Sequence, residues 1–494
     1  DPAETVSAQT QPASDAAPAV SRAGVYGSAA VTEPAEGSYA LKPVTVEADR
    51  PQWEKNLSPG TVSVVYPDQF KGEMKALPEL LQTVAGVFVQ KVNGTGHYAL
   101  ARVRGSTGQQ VNVYIDGVLY NSSGETGVDL SLIPVNNIER IEVYRGYVPA
   151  RFAGAAIGGA INIVTKKPQG TTGTVGMGIR SYKGFTSNLE MNTPLAGGTL
   201  MFQLNRDQSR GEFPYTVPGG GGITPTGSYS NPDFRVWRQN NQYQHTDGMV
   251  KWQDDHWVFK AQYSDKDDGV PAGAGQDGDV WEQDYGTGQW HRGSAVTQTN
   301  KNTDILIGRR QQTGSLEWGA YLNYGDHKKR SLWHRTVSQW FPAGMISYYN
   351  HKFWGARIDG NWKVNDSNMV EFLFNYSTET MKTDGNAYGT PAYTTVIDSS
   401  RAFLPKYDIK HYYFQVQDHM ALDRRKTLIF TPEWRAEKMD MTTFNKGNKN
   451  WNSAGPGIGE PNETAWKYSY GLALKKYLSE NWTFRATYGT YYRA

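Results

Sequence analysis

The chain of 494 residues has no cysteine, so it forms no disulfide, holds no metal through thiolates and uses no cysteine nucleophile. It also has no run of about 18 apolar residues, which excludes a membrane-spanning helix. The charges of the chain nearly balance, because 50 basic and 48 acidic residues leave a net charge of +2. Bulk charge therefore does not indicate a nucleic-acid partner. No charged segment followed by an apolar one stands at Asp1, and we expect that a secretion signal has been removed.

Aliphatic bulk is scarce, and aromatic residues are abundant instead. Only 38% of the residues are hydrophobic, yet 13% are aromatic, with 30 Tyr and 15 Trp. A transmembrane β-barrel needs an apolar side chain only at every second position, and it collects Tyr and Trp at both membrane interfaces. A closed barrel also satisfies all backbone hydrogen bonds without a helix. The composition therefore favours a barrel.

The first 50 residues differ from the rest of the chain. Residues 1–40 are rich in Ala and Pro and have few large apolar side chains, which predicts a disordered tail. In residues 41–50, Pro43 disfavours a helix, while Val44 and Val46 favour an extended strand. This segment is expected to be a short β-prone linker.

Residues 51–168 have the mixed pattern of a small α/β domain. Leu77, Leu80, Leu81 and Val84 repeat at helical spacing, which predicts a short helix that stops at Gly86. Asp116-Gly117 is typical of a turn. Strands are predicted at Thr61–Val65, Leu100–Arg104, Val111–Ile115, Ile138–Tyr144 and Ile161–Thr165.

Residues 169–494 alternate between apolar and polar with a period of two. In one segment Trp354, Ala356 and Ile358 alternate with Arg357 and Asp359, and the theme recurs from Trp257, Trp318, Val370 and Trp482. We predict about 12–14 antiparallel strands with one face for lipid and one for water. A soluble β-sandwich is the alternative for any single strand, but so many strands with a polar second face argue against it.

The connections between these strands alternate between short and long. Pro194–Gly198 is short. The predicted long loops are Asp207–His245, Asp265–Asn300 and Thr380–Asp408. Such alternation is typical of short periplasmic turns and long outer loops.

Several motifs of residues 51–168 resemble TonB-dependent outer-membrane receptors. Pro78–Val87 is similar to the plug helix and its turn in that family, and Val103-Arg104-Gly105 with Val113–Val118 is similar to the two core plug strands. Ile138–Gly146 and Gly158–Thr165 complete the signature. Five motifs in the family's order are far more specific than any one of them.

The resemblance implies a transmembrane antiparallel β-barrel with an N-terminal α/β plug domain inside the lumen. Family barrels have about 22 strands, so the barrel is expected to be incomplete in this chain, with C-terminal strands missing or a second chain completing it. An open edge would leave backbone groups unpaired in lipid. The implied domains are the tail (1–40), the TonB box and linker (41–50), the plug (51–168) and the barrel (169–494).

The resemblance also implies binding residues. The TonB box, which would add as a strand to the sheet of the energy-coupling protein, consists of Pro43, Val44, Thr45, Val46, Glu47 and Ala48. Two plug loops would face the ligand, and their small residues would let the backbone approach it. The ligand-binding candidates in these loops are Asn93, His97, Tyr98, Tyr120, Asn121 and Glu125.

Other polar clusters leave alternatives open. An acidic loop could hold calcium through carboxylate oxygens, although a solvated loop is the plainer interpretation; its residues are Asp265, Asp267, Asp268, Asp277, Asp279 and Asp284. His327, His334 and His351 could mark a haem-facing loop or be ordinary loop histidines. The charged residues of the plug, among them Arg140 and Arg151, are expected to form ion pairs with a polar lumen.

The implied function is an active importer, not an enzyme, in the outer membrane of a Gram-negative-type bacterium. The expected cargo is a metal chelate, above all a ferric siderophore, with cobalamin or haem as the alternative. The expected partners are the energy-coupling protein, the chelate, outer-membrane lipid and lipopolysaccharide, and a second chain. A passive porin would need an open lumen, which a folded plug of roughly 100 residues opposes. A surface adhesion or soluble lectin-like β protein is the remaining alternative.

Overall fold

A computed structural model describes most of the chain from residue 54 onward. The described residues are 54, 57–70, 72–92, 94–122, 127–152, 154, 157–217, 234–237, 240–270, 281–283, 290–292, 296–333, 345–388, 396–398, 406–444, 461–463 and 465–490. The predicted tail, linker and TonB box lie outside these residues, as do Asn93, Glu125, His334, Asp277, Asp279 and Asp284.

The N-terminal part is an α/β unit, the plug. Its elements are β1 (Thr61–Val65), α1 (Leu77–Gln82), β2 (Val87–Lys91), β3 (Ala99–Val103), β4 (Val111–Ile115), β5 (Val118–Leu119), β6 (Ile138–Arg145) and β7 (Gly159–Thr165). One sheet has the order β1-β6-β7-β4-β5, with β4 and β7 parallel and the other pairs antiparallel. Strands β2 and β3 form a separate antiparallel pair.

Helix α1 packs its apolar face into the core of the plug. Leu77, Leu80 and Leu81 are almost fully buried beside Val103 and Ile141. Burying one such side chain stabilises the fold by about 1.5–3 kcal/mol. The chain leaves the helix through Gly86, whose φ of +80° suits glycine far better than other residues.

The plug elements confirm the helix and the five strands that the sequence predicts. Thr61–Val65 and Val111–Ile115 have the predicted bounds, and the other three strands differ from the predictions by one or two residues at their ends. Strands β2 and β5 were not predicted, because β5 has only two residues and β2 follows the helix after a short turn.

The rest of the chain forms one large antiparallel sheet, the wall, with small hairpins attached. Its strands are β8 (Thr172–Arg180), β9 (Gly184–Leu195), β10 (Gly198–Ser209), β11 (Pro214–Val217), β12 (Phe234–Trp237), β13 (Tyr243–Gln253), β14 (Trp257–Val270), β15 (Trp281–Gln283), β16 (Trp290–Arg292), β17 (Val296–Thr313), β18 (Leu316–Trp333), β19 (Met345–Asn365), β20 (Asn368–Tyr388), β21 (Val396–Asp398), β22 (Lys406–Ala421), β23 (Leu428–Phe444), β24 (Pro461–Glu463), β25 (Lys467–Tyr477) and β26 (Thr483–Gly489).

Within the described residues, thirteen strands follow one another along the wall, in the order β8-β9-β10-β13-β14-β17-β18-β19-β20-β22-β23-β25-β26. This confirms the predicted number of 12–14 strands. Strands β21 and β24 pair with β20 and β23, while β11–β12 and β15–β16 are separate hairpins. Neighbours in the wall are neighbours in sequence, as in a meander.

The predicted alternation along each strand is confirmed on β19. Trp354 and Ile358 are 46% and 47% exposed on one face, whereas Arg357 and Asp359 are 8% and 2% exposed on the other. The exposed face carries a row of rings that crosses neighbouring strands. The ring centroids are 5.2 Å apart for Trp354 and Tyr376 and 5.0 Å apart for Tyr376 and Tyr412. An aromatic belt of this kind is typical of a face in contact with a membrane interface.

The ends of the long connections were predicted wrongly. Strand β14 continues to Val270, so Asp265, Asp267 and Asp268 lie on a strand and not in a loop. The two strands β14 and β17 remain in register through Val270 and Val296. The reason is that backbone pairing continues through polar residues where one face of the sheet meets water.

No helix of the described residues is long and apolar enough to cross a membrane.

Candidate functional site between the plug and the wall

The first described residues of the plug lie at the end of the wall where its short turns are. Leu57 packs against Met369 and Ile429, which flank two of these turns. Lys475 on β25 donates to the carbonyl oxygen of Ser58 at 3.1 Å. The chain therefore enters the plug at the short-turn end.

The predicted ligand loops lie at the opposite end, where the long connections leave the wall. His97 is 3% exposed, and its Nε2 lies 3.1 Å from the carbonyl oxygen of Asn241, two residues before β13 begins. Nδ1 of the same ring lies 3.7 Å from Asp268. Gly96 beside it has φ +85° and packs so closely on Tyr243 that a Cβ would lie 2.3 Å from that ring. The first loop is thus seated against the wall.

Tyr120 joins the second loop to the wall. Asn302 donates to its phenol oxygen at 3.4 Å, and the ring centroid lies 5.2 Å from that of His327. Burial, and next the Asp304 carboxylate, raise the pKa of Tyr120 well above its usual value. The phenol is therefore a neutral hydrogen-bonding group over the physiological range.

Asn121 has a structural role in the second loop. Its amide oxygen accepts from the backbone of Val113 at 2.7 Å, and its amide nitrogen donates to Val111 at 3.0 Å. Both ends of the side chain thus hold the second loop to β4. Asn121 positions Tyr120, and its contact with a ligand stays a prediction, as do those of His97, Tyr98 and Tyr120.

A cavity of about 590 Å³ separates the second loop from the wall. Tyr120 and Asn121 line the plug side. The wall side contributes imidazole, guanidinium, carboxylate and thioether groups, from His351, His411, Arg357, Glu379, Glu437, Met439 and Met441. The cavity lining therefore includes hydrogen-bonding and metal-ligating groups beside its apolar side chains.

His327 and His351 lie on strands, which corrects the predicted haem-facing loop for these two residues. His327 is on β18 and His351 on β19. Each has Nε2 bonded at 2.8 Å to a carboxylate, Asp304 and Glu379 respectively. His411 on β22 makes the same contact with Glu437 at 3.0 Å, and sequence reasoning did not single it out. Strand register alone places these residues together.

The plug is tied to the wall by buried polar contacts centred on Asp116. Lys260 of β14 contacts its carboxylate at 2.5 Å, and Thr165 donates to the same carboxylate through its backbone and hydroxyl at 2.9 and 2.8 Å. Lys251 of β13 lies 3.0 Å from the Thr165 hydroxyl and donates to the carbonyl of Lys166 at 2.9 Å. Burial alone would raise the pKa of Asp116, but the Lys260 and Lys251 ammonium groups hold it below its usual value.

Further wall side chains reach the plug elsewhere. Glu371 of β20 accepts from the backbone N–H of Ala150 at 2.8 Å. Lys266 donates to the hydroxyl of Ser131 at 2.7 Å. Asn205 donates to the side-chain oxygen of Asn137 at 2.7 Å. These bonds spread along the plug surface, so no single bond holds the plug in place.

The plug arginines were expected to pair with the lumen, but two of them form ion pairs within the plug, and the Glu371 carboxylate of the wall also attracts one of these, Arg151. Arg151 lies 2.8 Å from Glu54, and Arg140 lies 2.8 and 2.9 Å from Glu139 and Glu142. All three carboxylates belong to the plug. These pairs stabilise the plug itself, and the wall supplies a different set of charges for its own contacts.

The acidic residues considered for calcium are engaged separately on β14. Asp265 lies 3.1 Å from Lys301, and Asp267 accepts from the hydroxyl of Thr299 at 2.6 Å. Asp268 faces His97, as described above. No group of three or more His, Asp or Glu that could hold a metal occurs in the part of the chain that the structure describes.

Residues 54–160 match the family described as TonB-dependent Receptor Plug Domain. The chain is similar to the Vitamin B12 transporter BtuB of Vibrio cholerae serotype O1, with 35% identity over 153 residues. That similarity covers 30% of this chain and 24% of the relative. The chain thus spans about a quarter of the length of the curated relative that it matches.

Solved structures show the same fold over most of the chain. The unliganded ferric citrate transporter FecA is similar at a TM-score of 0.62 with 16% identity, over 88% of this chain and 63% of that chain. The copper transporter OprC is similar at 0.63 with 14% identity, over 87% and 62%. The ferric yersiniabactin uptake receptor FyuA from Yersinia pestis is similar at 0.58 with 14% identity, over 87% and 64%.

The plug match, the thirteen-stranded antiparallel wall and these similarities together identify the fold that the sequence predicts. The chain therefore has a TonB-dependent receptor plug domain, followed by a long antiparallel sheet that matches the barrels of TonB-dependent receptors.

Proposed function

We propose that the chain acts in TonB-dependent import of a metal chelate across the outer membrane, with a ferric siderophore as the cargo. Cargo binds to the plug loops of His97, Tyr98 and Tyr120 and to the wall facing them. The energy-coupling protein then pulls on residues 43–48, and the plug yields to open a path.

The proposal rests on the positions of the ligand loops and of the first plug residues, which lie at opposite ends of the wall. The loops with His97 and Tyr120 lie at the long-connection end, and Glu54 and Leu57 lie at the short-turn end. A pull on the chain before Glu54 therefore acts on the side away from the cargo. Binding and pulling do not compete for the same surface.

The contacts between plug and wall suit a plug that stays in place until force is applied and then moves. Hydrogen bonds to charged groups contribute about 1.5–3 kcal/mol each. Those of Asp116, Glu371 and Lys475 are separate from one another along the plug. A pull applied at one end can break them in sequence, whereas a passive solute cannot.

The barrel requires more strands than the described wall contains. Among the described strands, β8 and β26 have one neighbour each. A sheet edge in lipid leaves backbone groups without hydrogen bonds, at several kcal/mol for each group. We propose that further strands, from a longer form of the chain or from a second chain, pair with these two edges.

Cobalamin is the second cargo candidate, with haem as a third. The similarity to a vitamin B12 transporter favours cobalamin, but its 153 aligned residues cover under a third of this chain.

A passive porin is disfavoured, because the plug occupies the polar face of the wall through buried contacts.

Growth of cells whose only receptor contains this chain tests the proposal. Each chelate is supplied singly as the only source of iron or of cobalamin. Growth should depend on one cargo and be lost on deletion of residues 41–48, while deletion of residues 11–18 in the tail has no effect. Equal growth with and without residues 41–48, together with size-dependent liposome swelling, would instead assign a porin.

A further inference from the structure

Two histidines and a methionine form a row across three adjacent strands of the wall. His327 is directly opposite His351, and His351 is directly opposite Met381. Residues directly opposite on antiparallel strands project to the same face, with Cβ atoms about 4.5–5.5 Å apart. The two imidazole rings are 6.0 Å apart between centroids at an angle of 72°. All three side chains line one cavity of about 90 Å³ against the plug.

A carboxylate orients each imidazole. Asp304 lies 2.8 Å from Nε2 of His327, and Glu379 lies 2.8 Å from Nε2 of His351. Because a carboxylate accepts the proton of Nε2, the neutral ring keeps its lone pair on Nδ1. Histidines that bind metals nearly always have such a contact at the other ring nitrogen. Both rings are therefore held in the tautomer that a cation requires.

The charge around the row also suits a cation. Two carboxylates, Asp304 and Glu379, contact the rings of the row directly. A third, Asp129, lines the cavity together with the ammonium groups of Lys328 and Lys329. Nζ of Lys329 lies 5.8 Å from the ring centroid of Tyr349. The ring of Tyr120 closes the cavity from the plug side, 5.2 Å from His327. A small ion fits this space and a bulky chelate does not.

We propose that His327, His351 and Met381 bind a bare, soft transition-metal cation of the Cu⁺ class, through the two Nδ1 atoms and the thioether sulfur. Imidazole suits several first-row metals, whereas a thioether ligand selects Cu⁺. Hard cations such as Ca²⁺ and Mg²⁺ prefer oxygen ligands. The site goes beyond the proposed import function, because it concerns a free ion at the wall and not a chelate on the plug loops.

Binding of Cu⁺ to the purified chain in detergent tests this site. The metal-free protein competes anaerobically with a chromogenic Cu⁺ chelator, and we expect one tightly held Cu⁺ per chain. His327→Ala and His351→Ala should each weaken binding at least about 10-fold, and Glu379→Gln should weaken it about 10-fold by releasing the ring that it orients. His256→Ala is the matched control, since His256 lies in the turn between β13 and β14 and should leave the affinity unchanged.

X-ray absorption of the copper-loaded chain tests the sulfur ligand. The wild-type chain should have a sulfur scatterer that Met381→Leu removes, in a substitution that conserves volume. Three results would overturn the site: no Cu⁺ retained against the chelator, equal affinity in the double variant His327→Ala/His351→Ala, or a spectrum without sulfur. If the alanine variants do not fold, the conservative Glu379→Gln and Met381→Leu variants decide the question. None of these measurements requires import, so failure of the site is distinct from failure of the proposed function.

Discussion

Nζ of Lys260 on the wall lies 2.5 Å from Oδ2 of Asp116 in the Asp-Gly turn of the plug. The side chains are 5% and 16% exposed, so the pair is largely shielded from water. Removal of one partner from such a pair leaves a buried charge without compensation, which costs about 3–5 kcal/mol.

Asp116→Asn should therefore loosen the plug. We expect the free energy of plug unfolding to fall by about 3 kcal/mol, because Lys260 loses its partner and Thr165 loses an acceptor. This free energy is measured by urea titration, with hydrogen exchange of residues 111–115 and 159–165 as the signal that reports unfolding of the plug. Asp68→Asn, on an exposed turn of the plug, is the control and should change the free energy by less than about 0.5 kcal/mol. If Asp116→Asn lowers the free energy of plug unfolding no more than the control does, Asp116 does not stabilise the plug.

The same carboxylate predicts how plug stability depends on pH. The pKa of Asp116 in the folded protein is below the usual aspartate value of 3.8. The stabilisation is therefore complete above that value and is lost as the pH falls below it toward the folded-state pKa. Unfolding measured from pH 6 to pH 2 should show a steeper loss of stability below pH 3.8 in the wild type than in Asp116→Asn. Parallel curves for the two proteins would contradict the assignment.

Glu54 should resist a pull on the N-terminal side of the plug. It is fully buried and lies 2.8 Å from Arg151. Glu54→Gln replaces an ion pair by a weaker neutral hydrogen bond, so we expect the first unfolding event under force to occur at a lower force. Single-molecule pulling from the N-terminus measures the force at which this first event occurs. Glu73→Gln is the matched control, because its pair with Lys75 is half exposed and contributes little.

Gly96 should be essential for seating the first ligand loop, unlike its neighbour Gly94. A Cβ at Gly96 would meet Tyr243 at 2.3 Å in a backbone with φ +85°, while nothing lies within 4 Å of a Cβ at Gly94. We expect Gly96→Ala to expose the amide of Val92, which donates to the carbonyl oxygen of Tyr98 at 2.9 Å, to hydrogen exchange and to weaken cargo binding about 10-fold or more. Gly94→Ala should do neither. Similar exchange in the two variants would mean that the loop does not depend on this contact.

The sequence predicted the elements of the plug well, because its core is built from periodic aliphatic residues. Leu77, Leu80 and Leu81 lie on one helical face, and Ile161 and Ile163 lie on one strand face; both sets are buried as the patterns indicate. Strand β2 escaped prediction because Phe88 is 62% exposed there and no regular alternation marks the segment.

Partners across the molecule could not be predicted from the sequence. Arg151 pairs with Glu54, 97 residues away, and Lys260 pairs with Asp116, 144 residues away. Such choices depend on strand register and on how the plug packs. The row of His327, His351 and Met381 is likewise invisible in sequence, because it arises only when three strands align.

The central claim is that the plug must move relative to the wall for cargo to pass. The side chains of Asn137 on the plug and Asn205 on β10 are in contact at 2.7 Å. The chain has no cysteine of its own that would interfere with an introduced pair. Asn137→Cys and Asn205→Cys together, joined by a short thiol-cleavable linker, would hold plug and wall together. Each single variant treated with the linker is the control.

Uptake of cargo by cells with the linked pair measures this claim most directly. Binding of cargo should persist, uptake should stop while the link is intact, and reductant should restore uptake. Uptake that continues at the control rate with the link intact would show that cargo passes without movement of the plug.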